Sequence, residues 1–146
     1  SYDLSAARRA RRGPASQDSS AVFSAENKRV LIADDNRDWA DGLAILLADQ
    51  GYNVRTAYDG RGALEVAREF QPQVVILDIY MPRMTGFEAG RVFSGHPSGT
   101  RPVMIAVTGW PDDSGRTSAE LAGFDHYLGK SGDSAELLGL LKRLWP

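Results

Sequence analysis

The feature that most restricts the fold is a repeated alternation, from Lys28 onward, between short apolar runs and longer segments with helical spacing. Short apolar runs that end abruptly at polar residues predict fully buried parallel strands. Segments in which apolar residues recur every three or four positions predict amphipathic helices. The alternation therefore predicts an α/β fold, a doubly wound parallel sheet with helices on both faces and right-handed crossovers.

Five units of this kind can be assigned along the chain. The predicted strands are Val30–Ala33, Val54–Ala57, Val74–Leu77, Val103–Val107 and His126–Leu128. The predicted helices are one that begins after Asn36 and ends before Gly51, one that carries Ala63, Leu64, Ala67 and Phe70, a less regular one near Phe87, Arg91 and Val92, and the segments Asp113–Ala122 and Ser134–Leu144. Asn36 and Ser134 are predicted helix caps.

The first 26 residues differ from the rest. They are rich in Ser, Ala and Arg, contain Gly13-Pro14, and show no sustained apolar period. We interpret residues 1–26 as a flexible tail or linker and residues 27–146 as one globular domain. The cluster Arg8 to Arg12 is interpreted as solvated linker rather than as a contact for an acidic partner. Since no initiator Met is present, we expect a fragment of a longer chain.

Composition excludes several classes of function. No apolar run approaches the roughly 18 residues needed to cross a bilayer, so we expect no membrane insertion of this chain. The net charge of −2 gives no general reason to bind nucleic acid directly. With no cysteine, disulfides and thiolate metal sites are absent, and a cytoplasmic location is compatible with that composition.

Polar residues follow four of the five predicted strands. Asp34 and Asp35 come after the first, Asp78 after the third, Thr108 after the fourth and Lys130 after the fifth. Each alone would be a turn, cap or surface residue. Together they belong at the carboxyl edge of one parallel sheet, where open α/β sheets bind ligands.

The chemistry of this group points to a metal and a phosphoryl group. Two carboxylates about 4 Å apart repel by about 4 kcal/mol at an effective dielectric of about 20, so three of them require a compensating cation. Mg²⁺ prefers oxygen ligands and commonly combines carboxylates with phosphate oxygens and water. A carboxylate can attack phosphorus, and a metal with a lysine ammonium would stabilise the charged transition state.

At these residues the sequence resembles the response-regulator receiver family. The resemblance covers about Arg29 to Trp145 and is carried by Asp34-Asp35, the segment Ile76 to Pro82, Gly86, Thr108-Gly109 and Tyr127 to Lys130. It implies the flavodoxin-like strand order 2-1-3-4-5 with five helices. It also implies a phosphoacceptor in a two-component or phosphorelay system, not an enzyme in its own right, that assists its own Mg²⁺-dependent phosphorylation and dephosphorylation.

The resemblance also assigns roles to individual residues. Asp78 becomes the phosphoacceptor, and the Mg²⁺ ligands, with Mn²⁺ as an alternative ion, are Asp35, Asp78, the Tyr80 backbone carbonyl and, through water, Asp34. Lys130 becomes a partner of the phosphoryl group. Thr108 and Tyr127 become the switch, in which the hydroxyl moves to the phosphoryl group and the ring turns inward.

Some positions depart from the family pattern. Ser131 follows Lys130 where proline is usual, so we expect a trans peptide and a differently shaped loop. Thr85 stands where an acidic residue is common, and we expect this to affect only the local turn. Tyr80 and Trp110, two residues beyond Asp78 and Thr108, border the expected path of water to the phosphoryl group. We hypothesise that they slow dephosphorylation; the alternative is that they face outward or contact a partner.

Three other functions are alternatives to phosphoryl acceptance by Asp78. A haloacid-dehalogenase-type phosphatase would need an aspartate two residues after its nucleophile, where Tyr80 stands. A flavodoxin-like cofactor binder would need a phosphate loop after the first strand, where Asp34 and Asp35 would repel a phosphate. The remaining alternative is a degenerate receiver that acts as a phosphorylation-independent docking module.

The expected partners follow from the same resemblance. The phosphodonor would be a histidine kinase or a histidine phosphotransfer protein docking beside the first helix, near Asn36 to Trp39. The output partner or domain is unknown, and the last two helices with the last strand form the expected output or homodimer face. The chain is either a stand-alone receiver or the receiver of a hybrid histidine kinase.

Overall fold

The structure is a computed structural model that describes residues 27–81, 88–90, 93, 101–130 and 134–145. In chain order its elements are β1 Arg29–Ala33, α1 Arg37–Asp49, β2 Asn53–Ala57, α2 Gly60–Phe70, β3 Val74–Asp78, β4 Val103–Thr108, α4 Asp113–Leu121, β5 His126–Gly129 and α5 Ala135–Leu144. Residues 88–90 and 93, between β3 and β4, are helical and are called α3. The predicted tail, residues 1–26, and the predicted helical positions Phe87, Arg91 and Val92 lie outside the described residues.

The five strands form one parallel sheet in the order β2-β1-β3-β4-β5. The prediction of a doubly wound sheet with this order is confirmed. Each predicted strand is present, with one added residue at one end or the other. Asp78 closes β3 and Thr108 closes β4, so both polar side chains are held by regular strand geometry at the carboxyl edge.

Apolar side chains cover both faces of the sheet. Residues Val30 and Ile32 of β1 lie in a core with α1 and α5, whereas Leu31 and Ala33 lie in a second core with α2, α3 and α4. This alternation follows from the two-residue period of a strand. Every residue of β3 and β4 is buried, which is why these strands appear in the sequence as continuous apolar runs.

Side-chain caps fix where several helices begin. Asn36 Oδ1 accepts a hydrogen bond from Trp39 N at 3.1 Å, which confirms the predicted cap of α1. Asp59 and Asp112 cap α2 and α4 in the same way. The predicted cap at Ser134 is wrong: this residue precedes α5, but its backbone is not extended and its side chain makes no capping hydrogen bond. Among the described helices, none has the length and apolar character needed to cross a membrane.

A buried ion pair joins the amino ends of β4 and β5. The Arg101 guanidinium, which is 4% exposed, donates to Asp125 Oδ1 at 2.8 Å, to Asp125 Oδ2 at 3.3 Å and to the Gly123 carbonyl at 3.0 Å. Asp125 Oδ2 also accepts from Met104 N at 2.8 Å. This pair fixes the start of β5 at the edge of the sheet opposite to the polar residues described next.

Candidate functional site

The strand order brings the polar strand ends together. Asp34 and Asp35 follow β1, and because β3 and β4 lie beside β1, Asp78 and Thr108 stand at the same edge. Lys130 follows β5 and reaches back across this edge. Asp34, Asp78 and Thr108 are buried, whereas Asp35 is exposed. The site is therefore a polar pocket closed toward the sheet and open on the side of Asp35.

Three carboxylates form the floor and rim of this pocket. One oxygen from each of Asp34, Asp35 and Asp78 lies within 4.8 Å of the others. All three donors are hard oxygen ligands, and a small divalent cation such as Mg²⁺ is held by one or two carboxylates, with waters and phosphate oxygens as its other ligands. The donor set therefore fits Mg²⁺, and its uncompensated negative charge gives a reason for a cation to bind.

Lys130 supplies the one ammonium group found against these acids in the described residues. Its Nζ lies 2.5 Å from Asp34 Oδ2 and 3.2 Å from Asp78 Oδ2. Its backbone N donates to the Thr108 carbonyl at 2.8 Å, which extends the pairing of β4 and β5 by one residue. This positive charge therefore pairs with two of the three carboxylates.

Backbone N–H groups hold the two buried carboxylates in place. Asp34 Oδ1 accepts from Asn36 N, and Asp78 Oδ1 accepts from Tyr80 N, each at 2.9 Å. In both residues the other oxygen, Oδ2, faces Lys130. The carboxylates are thus oriented by the loops that follow β1 and β3, and their second oxygens point into the shared pocket.

The pKa values of Asp78 and Lys130 reflect their burial and the charges of their neighbours. The pKa of Asp78 is raised to about 6, mainly by burial and also by the charge of Asp34, while the Tyr80 hydrogen bond and Lys130 oppose the rise. Burial lowers the pKa of Lys130, but its contacts with Asp34 and Asp78 outweigh burial and leave that pKa above its usual value. A bound cation would favour the ionised form of Asp78.

Thr108 and Tyr127 lie beside this pocket. Thr108 Oγ1 accepts from Trp110 N at 3.1 Å. The Tyr127 ring is buried, and its hydroxyl accepts from Asp112 N, at the start of α4, at 3.1 Å. Gly115 makes room for this ring, because a Cβ there would collide with the Tyr127 hydroxyl and lie 3.2 Å from its Cζ. The Tyr127 ring thus occupies an inward position between β5 and α4.

Comparison with known proteins identifies the fold family. Residues 30–142 match the family model described as the response regulator receiver domain. The chain belongs to the response-regulator receiver family. The pocket described above therefore occupies the carboxyl edge of a receiver domain.

Individual relatives agree with this family. The receiver domain is 34% identical over 116 residues to the response regulator MprA of Mycolicibacterium vanbaalenii, covering 80% of this chain and 49% of MprA. The chain thus spans about half the length of that relative.

Solved structures place the receiver domain among the same proteins. The Vibrio cholerae chemotaxis protein CheY4 superposes with a TM-score of 0.75 at 30% identity, covering 81% of this chain and 98% of CheY4. The receiver domain of the sensor histidine kinase PA1611 from Pseudomonas aeruginosa has a TM-score of 0.72 at 27% identity, covering 81% and 97% of the two chains. That structure has a magnesium ion coordinated in its active-site cleft.

The receiver domain also contains site features that the sequence did not indicate. Trp39 was predicted to lie in the docking region beside the site, but its contact with Lys130 was not predicted: its ring centroid lies 4.9 Å from Lys130 Nζ. Its place four residues after Asp35, in the first turn of α1, was the available signal. Tyr80 and Trp110 are 60% and 81% exposed, so each has little contact with the rest of the described chain. Pro82, Thr85, Gly86 and Ser131 lie outside the described residues.

Proposed function

We propose that this receiver domain accepts a phosphoryl group on Asp78 from the phosphohistidine of a histidine kinase or phosphotransfer protein. The observation that carries the proposal is the placement of Asp78 Oδ2 beside Lys130, in a pocket where three carboxylate oxygens lie within 4.8 Å. A carboxylate oxygen attacks phosphorus, the phosphorus–nitrogen bond of the donor breaks, and the imidazole leaves with the bonding pair. The absence of cysteine is compatible with transfer in the cytoplasm.

Mg²⁺ is the cofactor that we propose for this transfer, with Mn²⁺ as a substitute of similar ligand preference. Asp35 and Asp78 would bind it directly, Asp34 through water, and Tyr80 through its backbone carbonyl. When bound, the ion supplies charge neutralisation at the phosphoryl oxygens. The bound magnesium in the PA1611 receiver supports this choice.

Residues of the chain itself would orient Asp78 and stabilise the phosphoryl oxygens. Tyr80 N orients Asp78 by holding Oδ1, which leaves Oδ2 for the new oxygen–phosphorus bond. Lys130, now paired with Asp34 and Asp78, would pair with the phosphoryl oxygens as charge moves onto them. Burial of Asp34 and Asp78 strengthens these interactions, since the effective dielectric in the pocket is lower than in water.

We further propose that Thr108 and Tyr127 transmit the change. The phosphoryl group carries about 1.5 to 2 negative charges on three acceptor oxygens, in place of the single charge of the Asp78 carboxylate, and these oxygens give the Thr108 hydroxyl a new acceptor. The Tyr127 ring already lies inward, in the room that Gly115 leaves, so we propose that phosphorylation stabilises this inward position. Gly115→Ala should displace the ring, and nuclear Overhauser contacts between Tyr127 and α4 should weaken. Unchanged contacts would contradict this role for Tyr127.

Tyr80 and Trp110 are proposed to slow dephosphorylation. Their high exposure means that they would have to fold toward the phosphoryl group to shield it from water; an outward position or a partner contact is the alternative. The phosphoryl half-life should fall in Tyr80→Asn and Trp110→Ala. A half-life that is unchanged or longer in both variants would contradict the shielding role.

The output surface is a further part of the proposal. A groove of about 330 Å³ lies between α4, β5 and α5, and both acidic and basic side chains line it, among them Arg116, Glu120 and Arg143. Tyr127 lines the same groove, so a movement of its ring would alter this surface. We propose it as the face for an output partner or a second copy of the chain.

Labelling with a small phosphodonor tests the central proposal. Radiolabelled acetyl phosphate with Mg²⁺ should label the native chain and should fail to label Asp78→Asn. Asp59→Asn, which changes the capping aspartate of α2 outside the pocket, is the matched control and should label like the native chain. Equal labelling of Asp78→Asn and the native chain, or no labelling of either, would refute the assignment and favour a phosphorylation-independent docking module.

A further inference from the structure

The ammonium of Lys130 has an aromatic neighbour in addition to its two acidic ones. Its Nζ lies 4.9 Å from the centroid of the Trp39 ring, while Asp34 Oδ2 and Asp78 Oδ2 are its anionic neighbours. The Lys130 side chain is only 16% exposed. Trp39 itself is half-buried and packs against the core between the sheet and α1.

The contact with Trp39 limits the conformational freedom of the Lys130 side chain. A lysine side chain has four rotatable carbon bonds, and its ammonium is a point charge that many rotamers can place elsewhere. The face of an indole ring attracts a cation, and the attraction is stronger where water is excluded. The ring therefore adds a third contact that restricts the Lys130 ammonium, beside its contacts with Asp34 and Asp78.

The two residues are themselves held by separate elements. Trp39 stands in the first turn of α1, where its backbone N donates to Asn36 Oδ1. Lys130 follows β5, where its backbone N donates to the Thr108 carbonyl. The residue after Lys130 is Ser131, which lacks the ring that fixes the φ angle of proline. The backbone of Lys130 is thus held on the side of β5 only. The contact of its side chain with Trp39 adds a second constraint.

We infer that Trp39 is a positioning residue for phosphoryl transfer: its ring holds the Lys130 ammonium between Asp34 and Asp78, ready to meet the incoming phosphoryl oxygens. The inference rests on the proposed function of Asp78. Trp39 touches neither the phosphorus nor the attacking oxygen in this scheme, and its whole effect passes through Lys130.

A double-mutant cycle tests whether the effect passes through Lys130. We expect Trp39→Leu to slow Mg²⁺-dependent labelling by acetyl phosphate by about tenfold, and Trp39→Phe, which keeps a weaker aromatic face, by less. In a Lys130→Met background, Trp39→Leu should cause no further loss. Ile45→Ala, at an exposed position of α1, is the control for a change in the same helix. An equal loss in the native and Lys130→Met backgrounds would overturn the inference.

A second measurement is independent of phosphorylation. The ring current of Trp39 should shift the ε-proton resonances of Lys130 upfield in the metal-free chain, and this shift should disappear in Trp39→Leu and persist in Trp39→Phe. If these shifts are observed while the native chain is never labelled, the contact stands and the proposed function fails. If the native chain is labelled but the shifts are absent and Trp39→Leu is labelled at the native rate, the inference fails alone.

Discussion

Two charge clusters, one buried and one partly open to solvent, stand at opposite edges of the same sheet, and their balance of charge differs. At the amino edge, one guanidinium meets one carboxylate, and Arg101 and Asp125 also bond to backbone groups of Gly123 and Met104. At the carboxyl edge, three carboxylates cluster together, and in the described part of the chain Lys130 pairs with two of them, Asp34 and Asp78. The balanced cluster fixes strands, whereas the unbalanced one retains an affinity for positive charge that a ligand can satisfy.

The largest effect should come from breaking the balanced cluster. Arg101→Met leaves Asp125 buried without its cation, and such a loss costs about 3 to 5 kcal/mol in the free energy of unfolding. Urea denaturation with an unchanged m-value would measure it. Arg101→Met combined with Asp125→Asn should recover much of the loss, since the Asn side chain can still accept from Met104 N. A loss below about 1 kcal/mol in the single variant would contradict a structural role for this pair.

A smaller effect of opposite sign should follow from removing charge at the other cluster. The folded-state pKa of Asp78, about 6, lies above the unfolded value of 3.8, so the folded chain binds this proton more tightly. Stability from this group is therefore present below the unfolded pKa and is lost as pH rises from about 4 through about 6. In metal-free buffer Asp78→Asn should raise the free energy of unfolding by about 1 to 3 kcal/mol at pH 8.

The pH dependence of the stabilisation by Asp78→Asn is the control for this prediction. The difference between Asp78→Asn and the native chain should shrink as the pH approaches 4, because the Asp78 carboxyl is then protonated in the folded chain and partly protonated in the unfolded chain. Paired urea titrations of the two chains at pH 8 and pH 4 measure this directly. A substitution that destabilises the chain at pH 8 would show that the charge of Asp78 is already compensated.

A divalent cation should offset the repulsion among the three carboxylates and so raise the free energy of unfolding. A ligand that binds the folded chain at ten times its dissociation constant raises the free energy of unfolding by about 1.4 kcal/mol. We expect Mg²⁺ to raise the melting temperature of the native chain at pH 8, and chelation to reverse the rise. The increase should be much smaller in Asp35→Asn, which removes one member of the acidic cluster. An equal increase in both chains would locate the ion elsewhere.

The smallest effect should come from an exposed polar contact that belongs to neither cluster. Tyr58 donates to Asp41 Oδ1 at 2.6 Å, at the surface. Tyr58→Phe should lower the free energy of unfolding by only about 0.5 to 1 kcal/mol, since water replaces an exposed partner at little cost. Chemical denaturation beside the Arg101→Met variant gives the comparison. A loss as large as that of Arg101→Met would show that burial is not what separates the two contacts.

Local patterns predicted the sheet and the carboxyl-edge residues well, for a physical reason. A fully buried strand must be apolar throughout, so Val74–Leu77 is recognisable as a run, and a polar residue at its end marks the edge of the sheet. Asn36 was predictable as a cap because a capping side chain bonds to a backbone group three residues away. Both signals are local in sequence.

The features that escaped prediction depend on distant residues or on local backbone angles. Arg101 and Asp125 are separated by 24 positions, and nothing near either residue encodes the pairing. The contact between Trp39 and Lys130 joins the first helix to the residue after the last strand, and the sequence placed Trp39 only in the docking region beside the site. At Ser134 the residue type suited a cap, but the backbone of Ser134 itself is not extended and its side chain makes no capping hydrogen bond. Residue type alone therefore does not predict a contact that depends on distant residues or a cap that depends on backbone angles.

The ion pair at the start of β5 also limits where the domain can deform. Arg101 immobilises Asp125, and Lys130, whose ammonium is proposed to change partners, lies immediately after the four-residue strand His126–Gly129. A displacement that runs from Lys130 back toward Asp125 is therefore absorbed within those four residues, and Tyr127 is the second of them. The amide groups of this short edge strand should accordingly show the earliest change in hydrogen-exchange rate when the site is occupied, while the amides of Asp125 and Met104 should exchange as before.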